Sequence, residues 1–382
     1  MHLLRMIIFL QIALLLSGCS KTTEPQPTNN YTLLETIDIS KKLSPEGEPV
    51  GRPDVIGIDN TLYLAYGIHT ERNFHLVKMK ADLDLTLIED TPMEFFSGYH
   101  DFSVDIRVSK ANGNLWYAFE DNKWNADIDD THFLNAAWYS SNNSLIGQQT
   151  DIANGILTTI PEAFSVNPAD VPLNPEAVDD PTPFWHNNSY YIFTRAWSGW
   201  IEEFTPNSNQ HIRIFNESFE KTDDFMLDLS TTIPGKTLSQ NTLIDIDGQV
   251  YLIGGFYNAR DDIAGGASVY AIPLSNDLKT TVNEKIPLLV ETGKWLFKST
   301  AARVYNGNLF INYQELLSGE TTQNIAVFDV DNNFGLIEKI EVSRIAAGET
   351  VANHTTFEIL NDMLFVFYPE TNNRIFAKIF SL

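Results

Sequence analysis

The chain has 382 residues, with 25 Lys and Arg against 50 Asp and Glu, a formal charge of −25, and a single cysteine. Nucleic acid binding needs clustered Lys and Arg, so this balance argues against nucleic acid as a partner. One cysteine excludes an internal disulfide and a thiolate-based structural zinc site, and 43% hydrophobic residues set the chain apart from disordered sequences.

At the N-terminus, Arg5 precedes an apolar run from Met6 to Leu16, followed by Ser17, Gly18 and Cys19. The run is shorter than the ~20 residues of a spanning helix and has the form of a secretion signal. Leu16-Ser17-Gly18-Cys19 resembles the lipobox of bacterial lipoproteins. That resemblance implies cleavage before Cys19 and lipidation of its thiol, with residues 1–18 as signal peptide. It also implies a place in the cell envelope outside the cytoplasm, at the outer membrane or periplasmic face, with the lipid as the only membrane contact. The other reading of the same residues is an ordinary signal peptide. Ser20 to Asn30 is polar, carries Pro25 and Pro27 and lacks periodicity, so 19–30 reads as a tether. Residues 31–382 then form a single domain.

Six segments of that domain share one pattern: a polar start, a short β-like run, a turn pair and an aromatic-rich strand. They begin at Gly51, Val104, Asp179, Ser239, Lys298 and Asn353. The turn pairs are Asp59-Asn60, Asn112-Gly113, Asn187-Asn188, Asp247-Gly248, Asn306-Gly307 and Asn361-Asp362, residues that tolerate positive φ in tight hairpins. Three residues after each pair stands an aromatic: Tyr63, Trp116, Tyr191, Tyr251, Phe310 and Phe365. A further strand-like run follows most units, and no long amphipathic helix is evident. Radially repeated sheets of this size predict an all-β, six-bladed β-propeller. The last unit lacks an outer strand and 31–40 is left over at the start, so the N-terminal strand is expected to complete the last blade and close the ring. The stretch between Trp116 and Tyr191, with acids at Asp127, Asp129 and Asp130, reads as a long, decorated loop.

Aligning the units on their turns places Arg52, Asp105, Asp180, Gln240, Ser299 and His354 in one column at a channel mouth. Two residues further on stand Asp54, Arg107, Thr182, Thr242, Ala301 and Thr356, and residues two apart on a strand share a face. The candidate acid and base groups are Asp54, Asp105 and Asp180. The candidate substrate-binding residues are Arg52, Arg107, Arg195, Trp197, Gln240 and His354. Carboxylates and guanidinium groups hydrogen-bond sugar hydroxyls, and an indole face stacks on the apolar side of a sugar ring. Two carboxyls across such a pocket suit glycoside hydrolysis. The same charges would equally serve as ion pairs between blades. No metal or cofactor is expected: Asp329 to Asn333 imitates the start of a calcium loop, but Phe334 stands where that loop needs Gly.

Gly51-Arg52-Pro53-Asp54 resembles the arginine-proline motif that opens the first blade of sialidases, six-bladed enzymes that clamp a sugar carboxylate with three arginines. No S-x-D-x-G-x-x-W Asp-box accompanies it here. Asp179-Asp180-Pro181 followed by FWHNNSYYIF resembles a blade start in five-bladed glycosidases of the arabinanase and xylosidase group. That likeness implies a base, or a residue that tunes the acid, at the blade-start Asp. The expected function is a membrane-tethered, monomeric propeller that handles a glycan or other small polar ligand as a glycoside hydrolase, or serves as a non-catalytic surface module that binds a glycan or a protein.

Overall fold

The computed structural model describes residues 31–43, 50–68, 73–93, 102–125, 129–157, 180–195, 208–257, 268–290, 295–297, 301–317, 320–346, 355–370 and 374–382; at some strand ends, Arg52 and Asp105 among them, it describes the backbone alone. Its strands form six small antiparallel sheets. Blade 1 runs outward through Val50–Ile58, Thr61–Ile68, Asn73–Lys80 and Leu87–Pro92, and blade 2 through Phe102–Ala111, Asn114–Asn125, Asp129–Tyr139 and Leu145–Leu157. Blade 3 contains Thr182–His186, Ser189–Arg195, Gln210–Phe215 and Lys221–Leu227, and blade 4 contains Thr237–Ile246, Gln249–Tyr257, Ser268–Pro273 and Ile286–Leu289. In blade 5 the innermost position is split between Trp295–Phe297 and Ala302–Tyr305, followed by Asn308–Leu317, Glu320–Asp329 and Gly335–Ala346.

Blade 6 has Thr356–Leu360, Met363–Glu370 and Arg374–Ser381, and its outermost strand is the N-terminal Thr32–Asp38. The pairing runs antiparallel from Thr32 opposite Ser381 to Asp38 opposite Phe376. An ion pair between Arg374 and Asp38, and a 2.7 Å bond from the Ile375 N–H to the Ser40 hydroxyl, fasten the junction. The ring is therefore closed as the leftover strand requires.

Both faces of a blade pack on a neighbour, which is why these strands read as nearly continuous apolar runs. Six hydrophobic clusters result, one at each junction between successive blades. The aromatics three residues beyond the turns belong to these clusters, Trp116 and Phe365 without any exposure. Five of the six innermost hairpins use two positive-φ residues, for example Asn112 at 51° and Gly113 at 75°, matching the right-handed twist of the flanking strands. These hairpins all lie at one end of the ring, the turn face. The innermost strands start at the other end, the mouth face.

Two expectations change. The stretch between Trp116 and Tyr191 is not mainly loop: it supplies the two outer strands of blade 2, and Asp129 and Asp130 begin the first of them. Asp127 lies outside the described residues. The fifth unit, read as starting at Lys298, is preceded by a further short strand, Trp295–Phe297: Phe297 pairs with Gln314 and Ala302 with Ile311, so extra residues are inserted between them.

Candidate functional site in the central channel

Hairpin register fixes which side chains meet in the channel. Asp54 pairs with Ala65, Arg107 with Ala118, Thr182 with Phe193, Thr242 with Ile253 and Thr356 with Phe367, equivalent positions in five blades. One step nearer the mouth the ladders break. The register slips between Gly51 and Asp54, between Ser103 and Asp105, and between Leu238 and Asn241. Asp180 meanwhile adopts the left-handed conformation at φ 48°, just ahead of its strand. Such irregularities re-aim side chains and are common beside functional sites.

Asp54 is 5% exposed and ties three blades together. One oxygen accepts the Thr356 hydroxyl at 2.7 Å from blade 6, and the other accepts the Val108 N–H at 2.9 Å from blade 2. Burial pushes its pKa above the usual carboxylate value, with Arg107 and these hydrogen bonds opposing the rise. Asp180 links blades 3 and 4 instead. It accepts the Gln240 amide at 2.5 Å and forms an ion pair with Arg195 at 3.3 Å. Asn241, next to Gln240, donates to Gln210 at 2.8 Å. Between blades 5 and 6, Asn312 donates to the Thr355 carbonyl at 2.5 Å, and Thr355 donates to Gln323 at 2.8 Å.

The structure thus brings Asp54 together with Arg107, and Asp180 together with Gln240 and Arg195, as two separate clusters. The Asp105 backbone pairs with Glu120, a fully buried carboxylate directly across the strand. The side chains of Arg52 and Asp105, and the whole of Cys19, Trp197 and His354, lie outside the described residues.

A cavity of about 250 Å³ occupies the channel, lined by the innermost strands of blades 1 to 5. Asp54, Arg107, Thr182 and Thr242 form its buried inner end. Ile56, Ser109, Phe184, Ile244 and Arg303 line its middle, and Lys110, Trp185 and Asp245 stand nearest the turns. Exposure rises in that direction, with Lys110 and Asp245 exposed and Trp185 half-buried, so the cavity opens at the turn face. The sequence reading named Asp54 and Arg107 but not the lining residues nearer the turns. The signal was present in the alternate column, where Gly57, Lys110, Trp185 and Asp245 align in the first four blades. Two further channel residues were also missed. Arg303 donates to Glu358 at 2.9 Å and to the Val55 carbonyl at 2.8 Å, while the Gly57 N–H donates to Glu358 at 2.9 Å.

No family model matches the chain, and no curated protein matches it either. Solved structures do. An α-L-arabinanase from Penicillium chrysogenum, complexed with arabinobiose, is similar with a TM-score of 0.60 and 11% identity, over 92% of this chain and 98% of that one. An α-L-arabinofuranosidase from Fusarium graminearum, in complex with an iminosugar inhibitor, is similar with a TM-score of 0.58 and 10% identity, over 87% of this chain and 92% of that one. At these identities the likeness is one of fold, and the chain shares its propeller architecture with both proteins along nearly its whole folded length.

Proposed function

We propose that this protein is a lipid-anchored, extracytoplasmic propeller that acts on a glycan as a glycoside hydrolase, with acid and base drawn from Asp54, Asp105 and Asp180. The observation that carries this reading is the contrast between two channel carboxyls. Asp54 is buried and its pKa is raised, which suits a proton donor. Asp180, two blades away, is ion-paired with Arg195 and supplies the anionic partner. Acid and base catalysis on a glycosidic bond needs carboxyls in environments that differ in this way. Arg52, Arg107, Arg195, Trp197, Gln240 and His354 serve substrate binding in this reading. The fold likeness to proteins solved with arabinobiose and with an iminosugar supports a carbohydrate as substrate.

The test is hydrolysis of a panel of arabinose- and xylose-containing glycans, with Asp54→Asn, Asp105→Asn and Asp180→Asn assayed singly. At least one variant loses ~10²–10⁴-fold in rate, the usual cost of removing a general acid or base. Three fully active variants overturn the site, and binding without turnover establishes a non-catalytic binding module instead. The latter reading draws on both Asp54 oxygens being engaged between blades. Cys19 carries the anchor in this proposal, so Cys19→Ser protein leaves the membrane fraction; continued partitioning with membranes overturns lipid attachment.

A further inference from the structure

The turn-face end of the channel has the composition of a binding site in its own right. Trp185 lines it from blade 3, flanked by Lys110 on blade 2 and Asp245 on blade 4. Ile56, Val108, Leu243 and Ile244 supply an apolar wall, and Ser109, Thr182 and Thr242 supply hydroxyls. At about 250 Å³ the space falls below the ~300–1,000 Å³ of sites for drug-sized ligands, so it fits one small ring rather than a chain.

The charges lining the cavity are already used, except one. Arg303 is bonded to Glu358, and Arg107 acts on Asp54. Asp245 accepts the Gly248 N–H of its own hairpin at 2.8 Å. The Lys110 ammonium has only the Gly57 carbonyl, at 3.3 Å, among the described residues. The lining therefore carries three cations, Arg107, Lys110 and Arg303, against two acids, Asp54 and Asp245. That reverses the balance of a chain with 25 basic and 50 acidic residues. An indole, a cation and hydroxyls in one lining form a set that matches a sugar ring bearing a carboxylate.

We propose that the turn-face end of the channel binds a single uronic acid unit, its ring on Trp185 and its carboxylate on Lys110. This goes beyond the proposed hydrolysis: Trp185 and Lys110 take no part in it, although Asp54 and Arg107 close the inner end of the same cavity.

The test is titration of the full-length protein with glucuronate and, separately, glucose, followed by calorimetry and saturation-transfer NMR. Glucuronate binds saturably and more tightly than glucose. Lys110→Ala weakens glucuronate about tenfold, the scale of one charge-assisted hydrogen bond, and removes the preference. Lys221→Ala, a surface lysine on the outer strand of blade 3, leaves it intact. Trp185→Ala abolishes binding of both sugars, with circular dichroism checking that the fold survives; Lys110 is exposed, so its variant keeps the test valid if Trp185→Ala does not fold. Equal binding of glucose and glucuronate, no saturable binding, or full binding by Lys110→Ala overturns the proposal. So does loss of glucuronate binding in Asp180→Asn, which would place the sugar at the mouth. Lys110-dependent binding in a protein without hydrolytic activity would overturn the proposed reaction and leave this site standing.

Discussion

Asp54 accepts a 2.7 Å hydrogen bond from the hydroxyl of Thr356, a residue 302 positions later in the chain, and the bond joins the first blade to the last. Thr356 has no exposure, so water cannot replace the lost donor. Thr356→Val keeps the shape and removes only the hydroxyl. It leaves a buried carboxyl short of one partner and costs ~1–3 kcal/mol. Urea unfolding reads this as a lower midpoint at unchanged slope. A midpoint equal to the parent's would show that the bond adds nothing to ring closure.

Blade count and ring closure were legible because their signals are local. A pair such as Asn112-Gly113 specifies a tight hairpin by its own φ preference, and the hairpin then fixes register along both strands. The Asp54–Thr356 bond and the Asp180–Gln240 bond cross between blades, and nothing near any of the four residues announces the partner. Aligning the repeats puts Asp54 and Thr356 in one column and Asp180 and Gln240 in another, but does not decide whether the carboxylates face a ligand or the neighbouring blades. The turn-face cavity went unread for a different reason. Lys110, Trp185 and Asp245 occupy the phase of their strands opposite to Asp54, and alternation alone does not reveal that both phases border the channel. The break between Phe297 and Ala302 depends on insertions that period-two patterning does not register.

Glu358 and Arg303 make the second cross-blade tie. Glu358 accepts from Arg303, from the Gly57 N–H and from the Ile359 N–H, each at 2.9 Å. Its side chain is 6% exposed against 20% for Arg303, so the pair is largely removed from water. Glu358→Ala strands the guanidinium and costs ~3–5 kcal/mol, the range for breaking a buried pair from one side. Adding Arg303→Met recovers part of that loss, because the stranded charge is gone. A double-mutant cycle on unfolding free energies checks it, and strict additivity would mean that the two side chains are not coupled.

Gly147, in the outermost strand of blade 2, meets the ring of Phe219 from blade 3. A Cβ there would come within 2.2 Å of Cδ2 and 2.5 Å of Cε2. Phe219 cannot easily retreat, since its ring stacks on Trp138 at 4.7 Å and its backbone is held at φ 66°. Gly147→Ala therefore overpacks the junction and destabilises by ~1–3 kcal/mol. The thermal midpoint falls, and near-ultraviolet circular dichroism changes with it as Trp138 shifts. An unaltered aromatic signal with an unaltered midpoint would show that this junction is loosely packed.

Asp54 also gives the fold a pH dependence whose sign follows from burial. Its folded pKa lies above the ~3.9 of an unfolded chain, chiefly through desolvation. Between those two values the unfolded chain releases a proton that the folded protein retains, so unfolding is favoured as pH rises. The stability that Asp54 confers is fully present below the unfolded pKa and is lost as pH climbs through the folded one. Asp54→Asn has no such proton to lose. Its carboxamide oxygen still accepts one of the two bonds from Val108 and Thr356, so part of the tie survives. The parent is accordingly more stable than Asp54→Asn at acidic pH, and the gap narrows or reverses towards neutrality. Unfolding free energies of both proteins, measured at intervals from acidic to neutral pH, test this directly. A gap that widens with pH would mean that Arg107, not burial, governs the carboxyl.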